Sequence, residues 1–348
     1  MTDTGAKWKE WKWKEWKWKE WLLNYSLYVI LGVLIIAVVV KEPGFLSLNN
    51  FSKIMAQAST KGILALGVAG MIVYTGTDLS AGRILGCAAA VSASLLQSVT
   101  YASRMYPNIT EPLPLVVPLL LAMMVSMMFC CLNAFGIAIL KMHAFIVSLG
   151  TQLVAYGVLC LYIDSQQHGA QPLASLDPRY IHIVNGYFDL GFMHLPYLVV
   201  YLAICSAFMW VVWNKTTIGK NMFAIGGNLE AAAVSGVNVT KNIFCVYLIA
   251  GALYGIAAFL EAGRVQSVTT STGLNYDLDA ISGCVIGGVS FAGGVGTIPG
   301  VLMGVIILQA INYSLYYLNV HAYYQYIIKG LIIIVAVAID VRKYIAKK

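Results

Sequence analysis

The 348 residues are 59% hydrophobic and 11% charged, with a mean hydropathy of +0.77 and a formal net charge of +7. Soluble domains carry about 25% charged residues, so the composition excludes a soluble globular protein and points to an all-α polytopic membrane protein. The seven cysteines (Cys87, Cys130, Cys131, Cys160, Cys205, Cys245 and Cys284) fall in apolar runs, and the five histidines show no ligand spacing, so neither a disulfide framework nor a metal site is expected.

A membrane span needs about 20 mostly apolar residues. About ten are read here, several of them short or glycine-interrupted: 22–40, 62–76, 82–101, 113–140, 144–163, 194–213, 243–261, 279–291, 294–315 and 323–340. An even number places both termini on one side. Most Lys and Arg residues, among them Lys7 to Lys19, Lys215, Lys220, Lys241 and Arg342 to Lys348, then share that side, whereas Lys41, Lys53, Lys61, Arg104, Arg179 and Arg264 lie opposite. The positive-inside rule makes both termini cytoplasmic. The net positive charge thus reflects orientation, and no nucleic-acid partner is expected.

Taken in order, residues 1–21 form a Lys/Trp/Glu segment with KWKEW three times. Its five-residue period places the Trp residues on both sides of a helical wheel. It reads as low-complexity sequence, or as a segment suited to anionic lipid headgroups. The first span has no small-residue cleavage site and is read as retained. Residues 41–61 form an external connection with a surface helix ahead of the second span. Thr75, Gly76, Asp78, Ser80 and Arg83 then mark a tight reversal, where Asp78 can cap the following helix and pair with Arg83, or take a direct part in gating or in contacting a partner ATPase. Arg104 lies in a short external loop, and residues 113–140 are long enough to tilt. Residues 164–194, with Arg179, form the longest external loop, a lid or a docking surface.

Residues 214–242 are the longest polar interruption on the cytoplasmic side. Asn228 can cap a helix by accepting a hydrogen bond from a first-turn N–H. Glu230 suits the positive end of its dipole, and Gly236 suits a left-handed stop. The helix, about seven residues long, is too short to stand alone. Leu229, Ala232, Ala233 and Gly236 share one face at i, i+3, i+4 and i+7. Such a face fits a partner's groove, or belongs to an ordinary surface helix between two spans.

Beyond it, glycines recur through residues 279–291, as in a closely packed or broken helix. Gly76 to Gly82 is echoed by Gly288, Ser290 and Gly294, either as a weak structural repeat or as chance likeness in a glycine-rich chain. Asn133, Thr151, Ser282 and Asn312 are the polar residues available to line a path. Tyrosines crowd the last external reversal as an interfacial belt. Lys329 lies inside the last span, where it can snorkel outward or pair within the bundle. Residues 341–348 form a basic tail.

Several motifs agree in order and topology with one family. EPGFLSLNNF, ILALGVAGMIVYTGTDLSAGR, KNMFAIGGNLEAAAVSGVNV, YDLDAISGCVIGGVSFAGGVGT and QYIIKGLIIIVAVAID resemble the monosaccharide branch of ABC importer permeases (ribose, xylose, galactose), nearest the galactose and methyl-galactoside members. Residues 230–236 resemble the EAA-x-x-x-G loop with which such permeases engage their ATPase. The resemblance covers nearly everything after residue 25. It implies an inner-membrane homodimer, a partner ATPase that holds ATP and Mg, and an external sugar-binding protein, for which Arg104, Arg179 and Arg264 are docking candidates. On that likeness Asn228, Leu229, Glu230, Ala231, Ala232, Ala233 and Gly236 form the ATPase contact. Two departures stand out: KWKEW has no family counterpart, and residues 120–135 carry Met, Ser and Cys where glycines are usual.

The residues themselves agree, since no GxxxxGK[ST] phosphate loop is present. A transport subunit that binds no cofactor of its own is expected. Ribose, xylose or another small polar solute is the alternative cargo. A secondary sugar transporter is the alternative mechanism, but the intramembrane acids it would need are few and lie mostly at span ends. An enzyme would need a catalytic cluster that the sequence lacks.

Overall fold

A computed structural model describes residues 32, 35–166, 169–191 and 193–345. The KWKEW repeat, most of the first predicted span and the last three residues of the basic tail lie outside the described residues. After helical residues 35–41 and a 3-10 turn at Pro43–Leu46 come α1 (Leu48–Val73), α2 (Ala81–Leu95), α3 (Val116–Ala138), α4 (Ala144–Asp164) and α5 (Pro178–Asn185). A small antiparallel hairpin follows, β1 (Tyr187–Asp189) with β2 (His194–Pro196). The remaining helices are α6 (Tyr197–Lys215), α7 (Thr217–Gly227), α8 (Leu229–Val234), α9 (Val239–Val265), α10 (Tyr276–Ile286), α11 (Ile298–Tyr317) and α12 (Ala322–Ile345).

Six helices, α1, α3, α4, α6, α9 and α11, are long and apolar enough to cross a membrane. The expected count of ten is therefore not reproduced by helices of spanning length among the described residues. Part of the difference lies in α2 and α10, with 15 and 11 residues; of the other two predicted spans, 22–40 lies mostly outside the described residues and 323–340 falls in α12, whose side chains are described only in part. At about 1.5 Å per residue α2 and α10 fall well short of a hydrocarbon core of about 30 Å, so predicted spans 82–101 and 279–291 are broken helices. The surface helix expected ahead of the second span is also absent as a separate element. Ser47 caps α1 by accepting from Asn50 N at 3.3 Å, and one helix runs unbroken from Leu48.

The chain forms two compact units, residues 47–309 and the described part of 1–46 with 310–348. In the first, α9 packs most extensively on α3 and then on α1 and α2. Glycines allow this. A Cβ on Gly251 would come within 2.7 Å of Met127 Cα, and one on Gly255 within 2.6 Å of Met123 N. Residues 120–135 of α3 hold no glycine, but close approach is kept because α9 supplies a small-xxx-small pair facing it. Gly283 and Gly287 of α10 likewise meet Gly300 and Gly304 of α11, where added methyl groups would run into the opposing backbone. The apolar window of α1, rich in Gly and Ala, is 83% buried, against 33% for α3. Leu120, Met124, Met128, Leu132, Phe135 and Ile139 make an outward apolar stripe on α3 at helical spacing. In the second unit, Phe45 packs on Tyr313 and Tyr317, with ring centres 6.2 and 5.3 Å away.

Candidate functional site

α8 is built by its ends. Asn228, in an extended conformation, accepts from Ala231 N at 2.9 Å through Oδ1, Glu230 sits in the first turn, and Gly236 follows at φ +85°. Of the face that the spacing selects, Leu229, Ala233 and Gly236 are exposed and Ala232 alone is buried. Ala232 is 5% exposed and turned into the chain, whereas Val234 is 91% and Leu229 54% exposed, alongside exposed Glu230, Ala231, Ala233 and Gly236. α7 and α9 pack against α8, and Ala232 is the residue of α8 that is buried. The surface free to meet a partner therefore includes Leu229, Glu230, Ala231, Ala233, Val234 and Gly236.

Directly behind α8, three backbone segments meet without intervening side chains. Gly226, at the end of α7, lies on the Val73 carbonyl at the end of α1, and its Cβ would fall within 2.7 Å of Gly294 N. Gly294 N donates to Val73 O at 3.0 Å. Gly293, at φ +85°, would bring a Cβ within 2.5 Å of Gly226 O and into Thr75. The two similar hairpins, residues 74–80 and 287–297, are thus joined at the foot of α8. Ser290 shapes the second by accepting from Ala292 N at 3.2 Å, while Gly288, at φ +85°, has open space where a side chain would be.

The first hairpin ends in a buried polar cluster. Asp78 is fully buried and accepts from Ser80 N at 2.9 Å, from the Ser80 hydroxyl, and from the Tyr254 hydroxyl of α9 at 3.0 Å. Asn133 Nδ2 of α3 donates to Ser80 Oγ at 2.9 Å. The expected Asp78–Arg83 pair does not form. Arg83 donates to Thr270 O at 3.0 Å and lies over the Tyr156 ring at 4.3 Å. The cause is residues 266–275, a non-helical stretch laid against the start of α2, where a Cβ on Gly86 would come within 2.6 Å of Thr272 O.

The other predicted residues are dispersed. Thr151 is buried on α4, and Ser282 Oγ is spent on Leu278 O at 2.5 Å within its own helix. Asn312 lies in the second unit, and its buried amide atoms have no partner. Arg104 binds loop carbonyls of Val99 and Pro107. Arg264 is clamped on Glu261 at 2.6 and 2.8 Å. Arg179 is the most exposed of the three arginines, at 56%, and pairs with Asp177 at 2.7 Å. Hydrogen bonding from Arg179 holds the Asp177 carboxyl below its ordinary value.

Local sequence reasoning misses one cluster. Glu261, 1% exposed, also accepts from Thr60 Oγ1 and Tyr276 OH, both at 2.7 Å. Lys61 Nζ lies 2.6 Å from Asp279 Oδ2 and 4.7 Å from the centre of the Tyr276 ring. The acids were visible near span ends, but Thr60, Lys61 and Tyr276 reach them from other helices. Gln309, buried on α11 with both amide atoms unpartnered, is the second omission. Its signal was a lone amide between Leu308 and Ala310. Among the described residues no group of His, Cys, Asp and Glu side chains could hold a metal ion.

Apolar helices of spanning length, with two shorter helices and a short capped helix presented outward, describe a polytopic membrane protein. Residues 50–337 match the family described as "Branched-chain amino acid transport system / permease component", and the chain belongs to that family of transport components. It is 47% identical to the galactose/methyl galactoside import permease protein of Haemophilus influenzae over 94% of this chain and 96% of that protein. The protein of the same description from Escherichia coli K12 is 48% identical over 93% and 95%. The ribose import permease protein of Bacillus subtilis is 32% identical over 89% and 90%. No solved structure matches the chain.

Proposed function

We propose that this chain forms the translocation path of an ATP-driven importer for galactose or methyl galactoside. The observation that carries the reading is identity of 47–48%, over more than nine-tenths of both chains, to permeases named for those sugars, against 31–32% to those named for ribose. In this reading residues 22–340 are the transmembrane part, ATP and Mg are bound by a separate ATPase, and an external sugar-binding protein delivers the cargo. A second copy completes the path in the inner membrane, and both termini are cytoplasmic. The outward face of α8 supports a partner contact, because a six-residue helix capped at both ends presents Leu229 and Val234 to solvent without a stabilising reason inside the chain.

The test is uptake of labelled galactose into vesicles holding the complex assembled with its ATPase and binding protein. ATP-dependent uptake, blocked by methyl galactoside and not by ribose, is expected. Uptake of ribose alone would move the cargo to the alternative branch, and uptake driven by an ion gradient without ATP would overturn the reading. Val234→Asp places a charge on the outward face without disturbing the buried side of α8, and it is expected to abolish ATP-driven uptake while leaving the bundle folded.

A further inference from the structure

The 74–80 hairpin is gripped at both ends by elements distant in sequence. At its start, Val73 O takes the Gly294 amide at 3.0 Å and has Gly226 seated directly on it. At its end, Asp78 accepts from Tyr254 at 3.0 Å and Ser80 from Asn133 at 2.9 Å. Ser148 Oγ of α4 adds a tie to Thr77 O at 3.2 Å. Between the ends, Thr75 holds φ +66°, a conformation rare for a β-branched residue. The connection is therefore constrained along its length.

Contacts between bare backbones differ from contacts between side chains in what they do with a displacement. A long side chain changes rotamer and absorbs a small shift, whereas close-packed backbone has no such freedom and passes the shift on. Gly226 lies two residues before Asn228, the cap of α8. Any movement of α8 is thus applied to Val73 and Gly294 within one short stretch of chain. Tyr254 sits at the other end, buried on the central helix α9 and close against Gly67 of α1.

We propose that the 74–80 hairpin is the element through which displacement of α8 reaches the helices of the bundle, with Gly226 and Tyr254 as positioning residues at its two ends. The proposal rests on α8 being the ATPase contact, and its first test does not depend on the cargo. Tyr254→Phe removes one hydroxyl and keeps the ring. In the full chain, hydrogen exchange is expected to quicken by about ten-fold at the Gly294 amide and at Ala232 of α8, as well as at Ser80. Faster exchange confined to residues next to Asp78 would overturn the proposal, since a hydroxyl with only a local role acts only locally. In the complex assembled with its ATPase, Tyr254→Phe and Gly226→Ala are both expected to keep ATP hydrolysis and to raise several-fold the ATP spent per galactose imported. An unchanged ratio, or a parallel fall of hydrolysis and uptake, would also overturn it. Absence of galactose uptake by the unmodified complex would strike the cargo assignment alone and leave the exchange result decisive here.

Discussion

Lys61 Nζ lies 2.6 Å from Asp279 Oδ2, so one ion pair joins α1 to the first turn of α10 across 218 positions of sequence. The side chains are 13% and 6% exposed. Burial makes such a pair asymmetric: breaking it is costly, whereas replacing both partners by apolar groups is often tolerated. Lys61→Met is expected to lower stability by on the order of 3 kcal/mol. Lys61→Met combined with Asp279→Leu is expected to lose less than the single change, and thermal unfolding in detergent reads both. Additive losses would show that the two groups do not act as a pair.

Gly287 and Gly300 set how closely α10 and α11 approach, because a methyl group on either meets the other's carbonyl. Gly287→Ala is expected to destabilise by roughly 1–3 kcal/mol through this overpacking. Gly227→Ala, where nothing lies within 4 Å of the new Cβ, is expected to change stability by less than about 0.5 kcal/mol. Melting temperatures of the two variants check the contrast.

Asp177 caps α5 through Arg179 N at 2.8 Å and pairs with the Arg179 guanidinium, which lowers its pKa. A carboxylate whose folded value is depressed contributes stability above its unfolded value, about 3.9, and loses it as pH falls through the folded value. Amide protection across α5 is therefore expected to hold down to about pH 4 and to fade below it. Asp177→Asn keeps a capping oxygen but removes the titration, so its protection should no longer fall with acid. Loss of protection near pH 6 in the unmodified chain would contradict the assignment.

Gln309 is 1% exposed and neither amide atom has a partner. An unsatisfied buried amide costs about 1–3 kcal/mol, so Gln309→Leu is expected to raise the melting temperature. A lower melting temperature would mean that the amide is satisfied within the fold. Reduced uptake in the more stable variant would place Gln309 on the route of a polar cargo.

Residues within a few positions of one another sufficed for much of this protein. Apolar runs marked a membrane bundle, Asn228 and Gly236 marked the ends of α8, and ordered motifs marked the family, because caps, stops and hydropathy depend on neighbours along the chain. Tertiary packing decided the rest. Which side of α8 faces outward depends on where α7 and α9 lie behind it, so Ala232 is buried and Val234 presented. Besides Ser80, Asp78 is met by Tyr254, 176 positions away, and not by nearby Arg83, because residues 266–275 draw the guanidinium aside. The glycines that residues 120–135 lack are supplied across the contact by Gly251 and Gly255 of α9. An interhelical contact needs only one of its two helices to be small, and the sequence of a single helix does not contain that sum.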